Sequence, residues 1–383
     1  MDFTLSKKHE MARTLFKEFA EKEVKPLAQD VDENEQFPVE TVAKMAKAGF
    51  LGIPVPKEYG GQGCDPLTYV MCVEELSKVC GTTGVIVSAH TSLCIDPIQT
   101  FGTEEQKKKY IPDLASGKKL GAFGLTEPGA GTDAQGQQTK AVLDGDEWVL
   151  NGSKCFITNG SYADVYIVIA VTGVVEKRGR KMKEISAFIV EKGMPGFSSG
   201  KIEDKMGLAG SETAELVFED CRVPAANMLG KKNKGFKIAM MALDAARVGV
   251  GAQANGVAEA AIEMSVKYMG ERVQFGKPIG VLQGLQWYIA EMATKTEAAK
   301  ALVYEASYLA DAGKPFSKEA AMCKLNAAEN ARFVTNLALQ IHGGYGYMKD
   351  YPLERMYRDA KLTEIYEGTS EIHKVVIARA VMK

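Results

Sequence analysis

The chain has 383 residues, of which 46% are hydrophobic and 25% charged, with a formal net charge of −2. That length exceeds one usual domain, the composition is that of a soluble globular protein, and the charge argues against nucleic acid as the main partner. No apolar run approaches the ~20 residues that span a bilayer.

The chain starts Met1-Asp2-Phe3-Thr4-Leu5 and runs straight into a helical pattern, with no signal peptide or Arg-rich transit sequence. A cytoplasmic protein is expected, or a mitochondrial matrix one only after removal of a transit peptide. Seven cysteines without Cys-x-x-Cys pairs read as reduced thiols, and His9, His90, His342 and His373 lie too far apart in sequence to suggest a zinc site.

Residues 1–119 read as a helical domain. Leu15, Phe16, Phe19 and Val24 form an amphipathic stripe that should stop at Pro26. Val42, Met45, Ala46 and Phe50 form a second stripe, and Gly60-Gly61-Gln62-Gly63 reads as a flexible loop. Pro66 to Val79 is helical. Val85 to Phe101, nearly all apolar or small, predicts a buried helix bent at Pro97. Thr103-Glu104-Glu105-Gln106 caps one more helix.

Residues 120–230 change to short β-rich runs, which predicts a small barrel or sandwich. Asp144-Gly145 marks a hairpin turn, and the charged segment Val174 to Lys183 reads as a solvated loop. Thr126 and Thr132 sit in a loop of small residues, which suits a ring system with several acceptors, a phosphate, or a plain glycine-rich turn. Residues 231–383 return to helices. Gly235–270, Pro278–313 and Pro315–341 are long enough to suggest an antiparallel four-helix-bundle-like domain. Asp244 and Arg247 share a helix face, and by type alone read as a surface ion pair. No Gly-x-Gly-x-x-Gly opens a helix after a strand, so a Rossmann fold is not indicated.

The densest chemistry lies in Leu362 to Glu371. Glu367 follows Ile365 and Tyr366 and precedes Gly368, with Thr369 and Ser370 capping a final helix. A carboxylate walled by apolar groups has a raised pKa, as a general base for a poor carbon acid needs. By residue type alone it reads also as a glutamate on an ordinary helix cap.

Leu125 to Asp133, Arg272-Val273-Gln274-Phe275-Gly276, Gln340 to Gly346 and Ile365 to Thr369, in this order, resemble the acyl-CoA dehydrogenase family over the whole chain. The likeness is strongest to short-chain, butyryl-CoA-type bacterial members. It implies an α, β, α architecture with FAD in the groove between the parts. Phe123, Leu125, Thr126 and Thr132 would line the flavin, as would Phe156, Ile157 and Thr158, with Phe156 either stacking there or packed in the core. Thr369 and Glu371 would touch it too. Arg272, Phe275, Gln283, Gln340, Gly343 and Gly344 would reach the FAD of a neighbouring subunit. Thr132, Leu243, Asp244, Arg247, Gly368 and Arg379 would hold the acyl-CoA.

The family's branched- and long-chain members carry their catalytic glutamate where this chain has Ala246. The likeness therefore implies a short- or medium-chain enzyme with Glu367 as base, removing the pro-R α-proton. The Glu367 N–H and a flavin hydroxyl would steady the thioester oxygen. Electrons would pass to an electron-transferring flavoprotein, or flow back during fermentation, in a homotetramer built as a dimer of dimers. An acyl-CoA oxidase and a non-catalytic flavin scaffold are the alternatives. His342 is expected to be a packed or interface residue, and no histidine to lie near the catalytic stretch.

Overall fold

The computed structural model describes residues 4–177 and 179–382; Met1-Asp2-Phe3, Arg178 and Lys383 lie outside them. The first helices are α1 (Lys7–Phe19), α2 (Ala28–Glu33), α3 (Val39–Lys47), α4 (Pro66–Val79), α5 (Gly81–Ser88), α6 (Asp96–Phe101) and α7 (Glu104–Ala115). Pro26 does not stop the first helical run. The chain passes through a π-turn at Ala20–Val24 and a 3-10 turn at Lys25–Leu27, where proline's missing N–H is not needed. Phe16 and Val24 are buried as expected, but Leu15 is exposed.

The 60–63 segment is not loose. Gly61, Gln62 and Gly63 donate backbone bonds to Pro56, Gly52 and Val55. A Cβ on Gly61 would meet the Val55 carbonyl at 2.2 Å, a close approach only glycine permits. Between α5 and α6 the chain forms a π-helical segment, Ala89–Ile95, entirely buried, and Pro97 enters α6 in its first turn. Thr103 and Gln106 form the expected reciprocal cap of α7.

Eight strands follow: β1 (Gly121–Gly124), β2 (Lys140–Asp144), β3 (Glu147–Thr158), β4 (Val165–Lys177), β5 (Arg180–Glu191), β6 (Phe197–Ile202), β7 (Thr213–Pro224) and β8 (Met228–Leu229). Their order is β6-β7-β3-β2-β4-β5-β8, with β1 parallel on β4. The path is open, so the sheet is not a closed barrel. It curls: Tyr166 and Val168 from β4 share one core with Leu150, Leu216 and Phe218 from β3 and β7. The opposite face of β4, Val165, Ile167 and Ile169, packs on α6, α7 and the π-segment. The expected loop at Val174–Lys183 is a hairpin, with Val174 paired to Lys183 and Val175 to Met182.

The remaining elements are α8 (Gly235–Glu271), the two-residue strands β9 (Val273–Gln274) and β10 (Lys277–Pro278), α9 (Gln283–Asp311), α10 (Ser317–His342), α11 (Leu353–Leu362) and α12 (Ser370–Val381). Small residues let α8 and α10 approach closely. Ala254, Ala258 and Ala261 meet Ala327, Ala331 and Val334 in one core. Among the described residues no helix is long and apolar enough to cross a membrane.

Candidate active site

The end of α11 and the start of α12 are joined by a loop that forces Glu367 out of ordinary backbone space. Its φ is +50° and that of Gly368 is +107°. A glutamate in the left-handed region costs roughly 1–2 kcal/mol, so its surroundings must hold it there. They do so at four points. Arg247 Nε donates to the Glu367 carbonyl at 3.1 Å, and Lys324 Nζ to the Gly368 carbonyl at 2.7 Å. The Tyr366 hydroxyl bonds Gln253 Oε1, and Ser370 N–H bonds the Glu364 carbonyl at 3.0 Å. Thr369 caps α12.

With the loop's two carbonyls taken by these cations, the carboxyl itself is left over. Glu367 is half-buried as a residue, yet its Oε2 is shielded from solvent and has no hydrogen-bond partner. Burial pushes its pKa up to about 7, against the pull of Lys324 and then Arg247. Lys324, fully buried on α10, is pushed down to about 8, chiefly by burial. A carboxyl poised near neutrality can take or give a proton.

His373 overturns the expectation that no histidine lies near this stretch. One turn into α12, it folds back beneath the loop, so that a Cβ on Gly368 would meet its Cε1 at 3.2 Å. It is fully buried, neither ring nitrogen has a partner, and burial with the nearby cations holds its pKa down to about 3. His342 is packed as expected: Nδ1 bonds the Ala338 carbonyl at 2.8 Å and the ring stacks on Tyr268 at 4.1 Å. Glu371 and Arg379 on α12 are exposed.

Asp244 and Arg247 form an ion pair of 2.7 Å, but not a surface one. Their side chains are only 14% and 7% exposed, and Ser317 Oγ also bonds Asp244. Arg247 thus braces the glutamate loop. Beside it, Leu243 and Phe123 pack with Ala89, Leu93, Ala242 and Ala246 in a small apolar cluster between α8 and the π-segment.

The loop after β1 is organised by an ion pair that residue type did not reveal. Glu127 and the fully buried Lys154 are 2.7 Å apart. Glu127 also accepts the N–H groups of Gln138 at 2.5 Å and Thr139 at 3.0 Å, while Lys154 donates to the Leu125 carbonyl and Gln137 Oε1. Leu125 is buried, Thr126 half-buried and Thr132 exposed, and Gly129 and Gly131 face open space. A register shift in β3 between Lys154 and Ile157 places Phe156 at φ +59° with its ring 64% exposed. Phe156 is therefore not a core residue. Ile157 is: its side chain packs inside the sheet and leaves only its backbone for a ligand. Thr158 ends β3, half-buried.

Arg272 caps α8 and lays its guanidinium over the Tyr345 ring at 5.3 Å. Phe275 and Gly276, both left-handed, turn β9 into β10 and leave Phe275 97% exposed. Gln283 opens α9; exposed Gln340 lies in the last turn of α10, and exposed Gly343 and Gly344 begin the 3-10 turn that follows it. Among the described residues no hydrogen bond joins this group to the Glu367 loop.

The sequence did carry signals for the two missed lysines. Lys154 shares the inward parity of Trp148 and Leu150, and Lys324 falls on the helical stripe of Ala320, Ala327 and Ala331. A lysine on a buried face is a functional candidate.

Family models match along the chain: the acyl-CoA dehydrogenase N-terminal domain over residues 6–118, the middle domain over 122–221 and the C-terminal domain over 233–382. The acryloyl-CoA reductase (NADH) of Anaerotignum propionicum is 63% identical, over 100% of this chain and 96% of its own. The butyryl-CoA dehydrogenase structure from Megasphaera elsdenii superposes with a TM-score of 0.97 at 48% identity, covering 100% of both chains. A chain in the structure described as the electron transferring flavoprotein of Acidaminococcus fermentans does so with 0.96 at 54%, also over 100% of both.

Proposed function

The chain belongs to the acyl-CoA dehydrogenase family, and from that premise we propose that it interconverts a short-chain acyl-CoA thioester and its α,β-unsaturated counterpart, with Glu367 as the acid–base group. The observation that carries this reading is the Glu367 carboxyl: shielded and unpartnered at Oε2, and raised to about 7 by burial.

FAD is the cofactor of the family, and the residues present fit it. Thr126, Thr132 and the open glycines offer small, donor-rich backbone, and Phe156 offers an outward aromatic face. Ser370 Oγ, at the start of α12, is buried without a partner. When bound, FAD supplies the acceptor of the β-hydrogen in oxidation and its donor in the reverse reaction.

Glu367 removes the α-proton in oxidation and returns it in reduction. Its own N–H donates to no group among the described residues, and it is assigned to the thioester oxygen, where charge develops. Arg247 and Lys324 already occupy the carbonyls of Glu367 and Gly368, so the loop presents N–H groups rather than acceptors. Leu243, Phe123, Ala246, Ala89 and Leu93 exclude water around the acyl end, and a cluster closed by Leu93, Leu243 and Phe123 favours C4 over C8. Relatives named for acryloyl-CoA and butyryl-CoA support three- to four-carbon substrates and either direction.

An electron-transferring flavoprotein is the proposed electron partner, supported by the Acidaminococcus structure, and the cytoplasm the proposed location. The proposed assembly is a homotetramer with Arg272 acting across a subunit boundary. Exposed Phe275, Trp287, Tyr345 and Tyr347 support it as apolar surface awaiting cover. The test is colour: under anaerobic conditions butyryl-CoA or propionyl-CoA should bleach the flavin absorbance of the purified protein. A spectrum unchanged by both would overturn the assignment.

A further inference from the structure

Each of three helices packed against the Glu367 loop sends one nitrogen group into it: Arg247 from α8, Lys324 from α10 and His373 from α12. Lys324 is the unexpected one. It lies among Ala320, Ala321, Cys323, Ala327 and Ala328, all fully buried. Apolar residues of that size would pack there without burying a charge. Yet the ammonium is present, and its recorded bond is to a carbonyl, that of Gly368.

That carbonyl belongs to the second residue of the left-handed pair. Pulling on it fixes the direction in which the preceding side chain leaves the backbone. Glu367 Oε2 and both His373 ring nitrogens are shielded without partners, and the His373 ring lies against the same Gly368 whose carbonyl Lys324 bonds.

We propose that Lys324 is a positioning residue for the acid–base step: through the Gly368 carbonyl it holds the Glu367–Gly368 pair in its left-handed form, and so keeps its buried ammonium fixed one residue from the Glu367 side chain. His373 supports the same glycine as a neutral ring and adds no second charge. This rests on the reading of Glu367 as the acid–base group.

The other charges around the loop are accounted for. Arg247 is paired to Asp244, and Glu364 to Arg332 and Lys361. Glu371 stands exposed on α12. The Cys323 thiol is pushed up to about 12 by burial, and burial raises the Tyr366 phenol well above its ordinary value, so both stay neutral. Of the two cations that lower the Glu367 pKa, Lys324 has the larger effect.

The test compares Lys324→Gln, Lys324→Met and Lys324→Arg in the FAD-loaded enzyme. The glutamine keeps a donor for the Gly368 carbonyl without the charge, methionine removes both, and arginine keeps both. The primary readout is the infrared carboxyl stretch of Glu367, assigned by its loss in Glu367→Gln, titrated through neutral pH. The second is the pH profile of flavin bleaching. Lys324→Gln and Lys324→Met should raise the Glu367 midpoint by about one unit or more. Bleaching by the saturated thioester at neutral pH should then fall roughly tenfold with little change in KM, its acid limb moving to higher pH. Lys324→Arg should leave the midpoint near that of the parent.

An unmoved midpoint in Lys324→Gln that retains FAD overturns the proposal. If the methionine variant does not fold, the glutamine and arginine variants decide alone. Should Glu367→Gln still bleach at the parent rate, the reading of the base fails instead, and the two failures are distinct.

Discussion

Glu127 beside Lys154 and Glu367 beside Lys324 use the same two residue types, each with a fully buried lysine, and end in opposite electrical states. Glu127 is held below the usual carboxylate range although burial pushes the other way, because Lys154 and two backbone N–H groups all point at it. Burial raises Glu367 to about 7, and the neighbouring cations only partly oppose it, because Lys324 Nζ and Arg247 Nε bond carbonyls instead of its carboxyl. The difference lies in aim, not composition. A satisfied carboxylate shapes a loop, while an unsatisfied one is available for chemistry.

The largest effect that would break this comparison is kinetic. Glu367→Gln should keep FAD and slow anaerobic bleaching by butyryl-CoA by ~10²–10⁴-fold, as loss of a general base does. A rate within tenfold of the parent would show that the base is elsewhere. On the other side, Lys154→Met strands Glu127 as a buried charge. It should cost about 3–5 kcal/mol, read as a lowered Tm, and reduce retained FAD by disordering the 125–139 loop. The double replacement Glu127→Leu with Lys154→Met should recover part of that Tm; a double variant worse than the single would contradict the account.

A third effect is smaller and opposite in sign. Between pH 4.5 and about 7 the folded chain keeps a proton on Glu367 that the unfolded chain has released. Stability therefore falls as pH rises through that window. Glu367→Gln escapes the loss, so above neutral pH it should be more stable than the parent by roughly 3 kcal/mol, with the advantage gone below pH 4.5. Equal unfolding free energies at all pH values would remove the claim of a raised pKa. The smallest effect belongs to the β3 bulge: Phe156→Ala should weaken FAD retention by about 1 kcal/mol, the scale of one aromatic contact, with Tm of the FAD-free protein unchanged because the ring supports no core.

Features that depend on near neighbours in the chain were legible. The reciprocal cap at Thr103, the Asp144-Gly145 turn, the lengths of α8, α9 and α10 and the place of Glu367 before a capped helix are all local patterns. What failed depended on packing. Pro26 was read as a stop because a π-turn leaves no mark in composition. Val174 to Lys183 was read as a loop because its charges hid cross-strand pairing with an exposed face. That the Ile157 side chain turns inward and Phe156 outward was hidden because the bulge between Lys154 and Ile157 breaks the strand's alternation. Lys324 and His373 meet Gly368 from 44 and five residues away, and only the closing of α12 on α10 brings them together.

The π-helical segment at Ala89–Ile95 has a consequence for how such a chamber changes over generations. A π-turn is an α-helix carrying one surplus residue. Loss of a single codon there would restore ordinary helical pairing, leave the residues beyond it near their present orientation and change which side chains within the segment face inward, each position being about 100° from the next around the axis. Leu93 would leave the wall it now shares with Ala246, and another side chain would take its place, while α8 stayed where it is. The acyl end can thus be recut by insertion and deletion as well as by substitution. Lineages compared only at aligned positions would show the altered appetite without the change that made it.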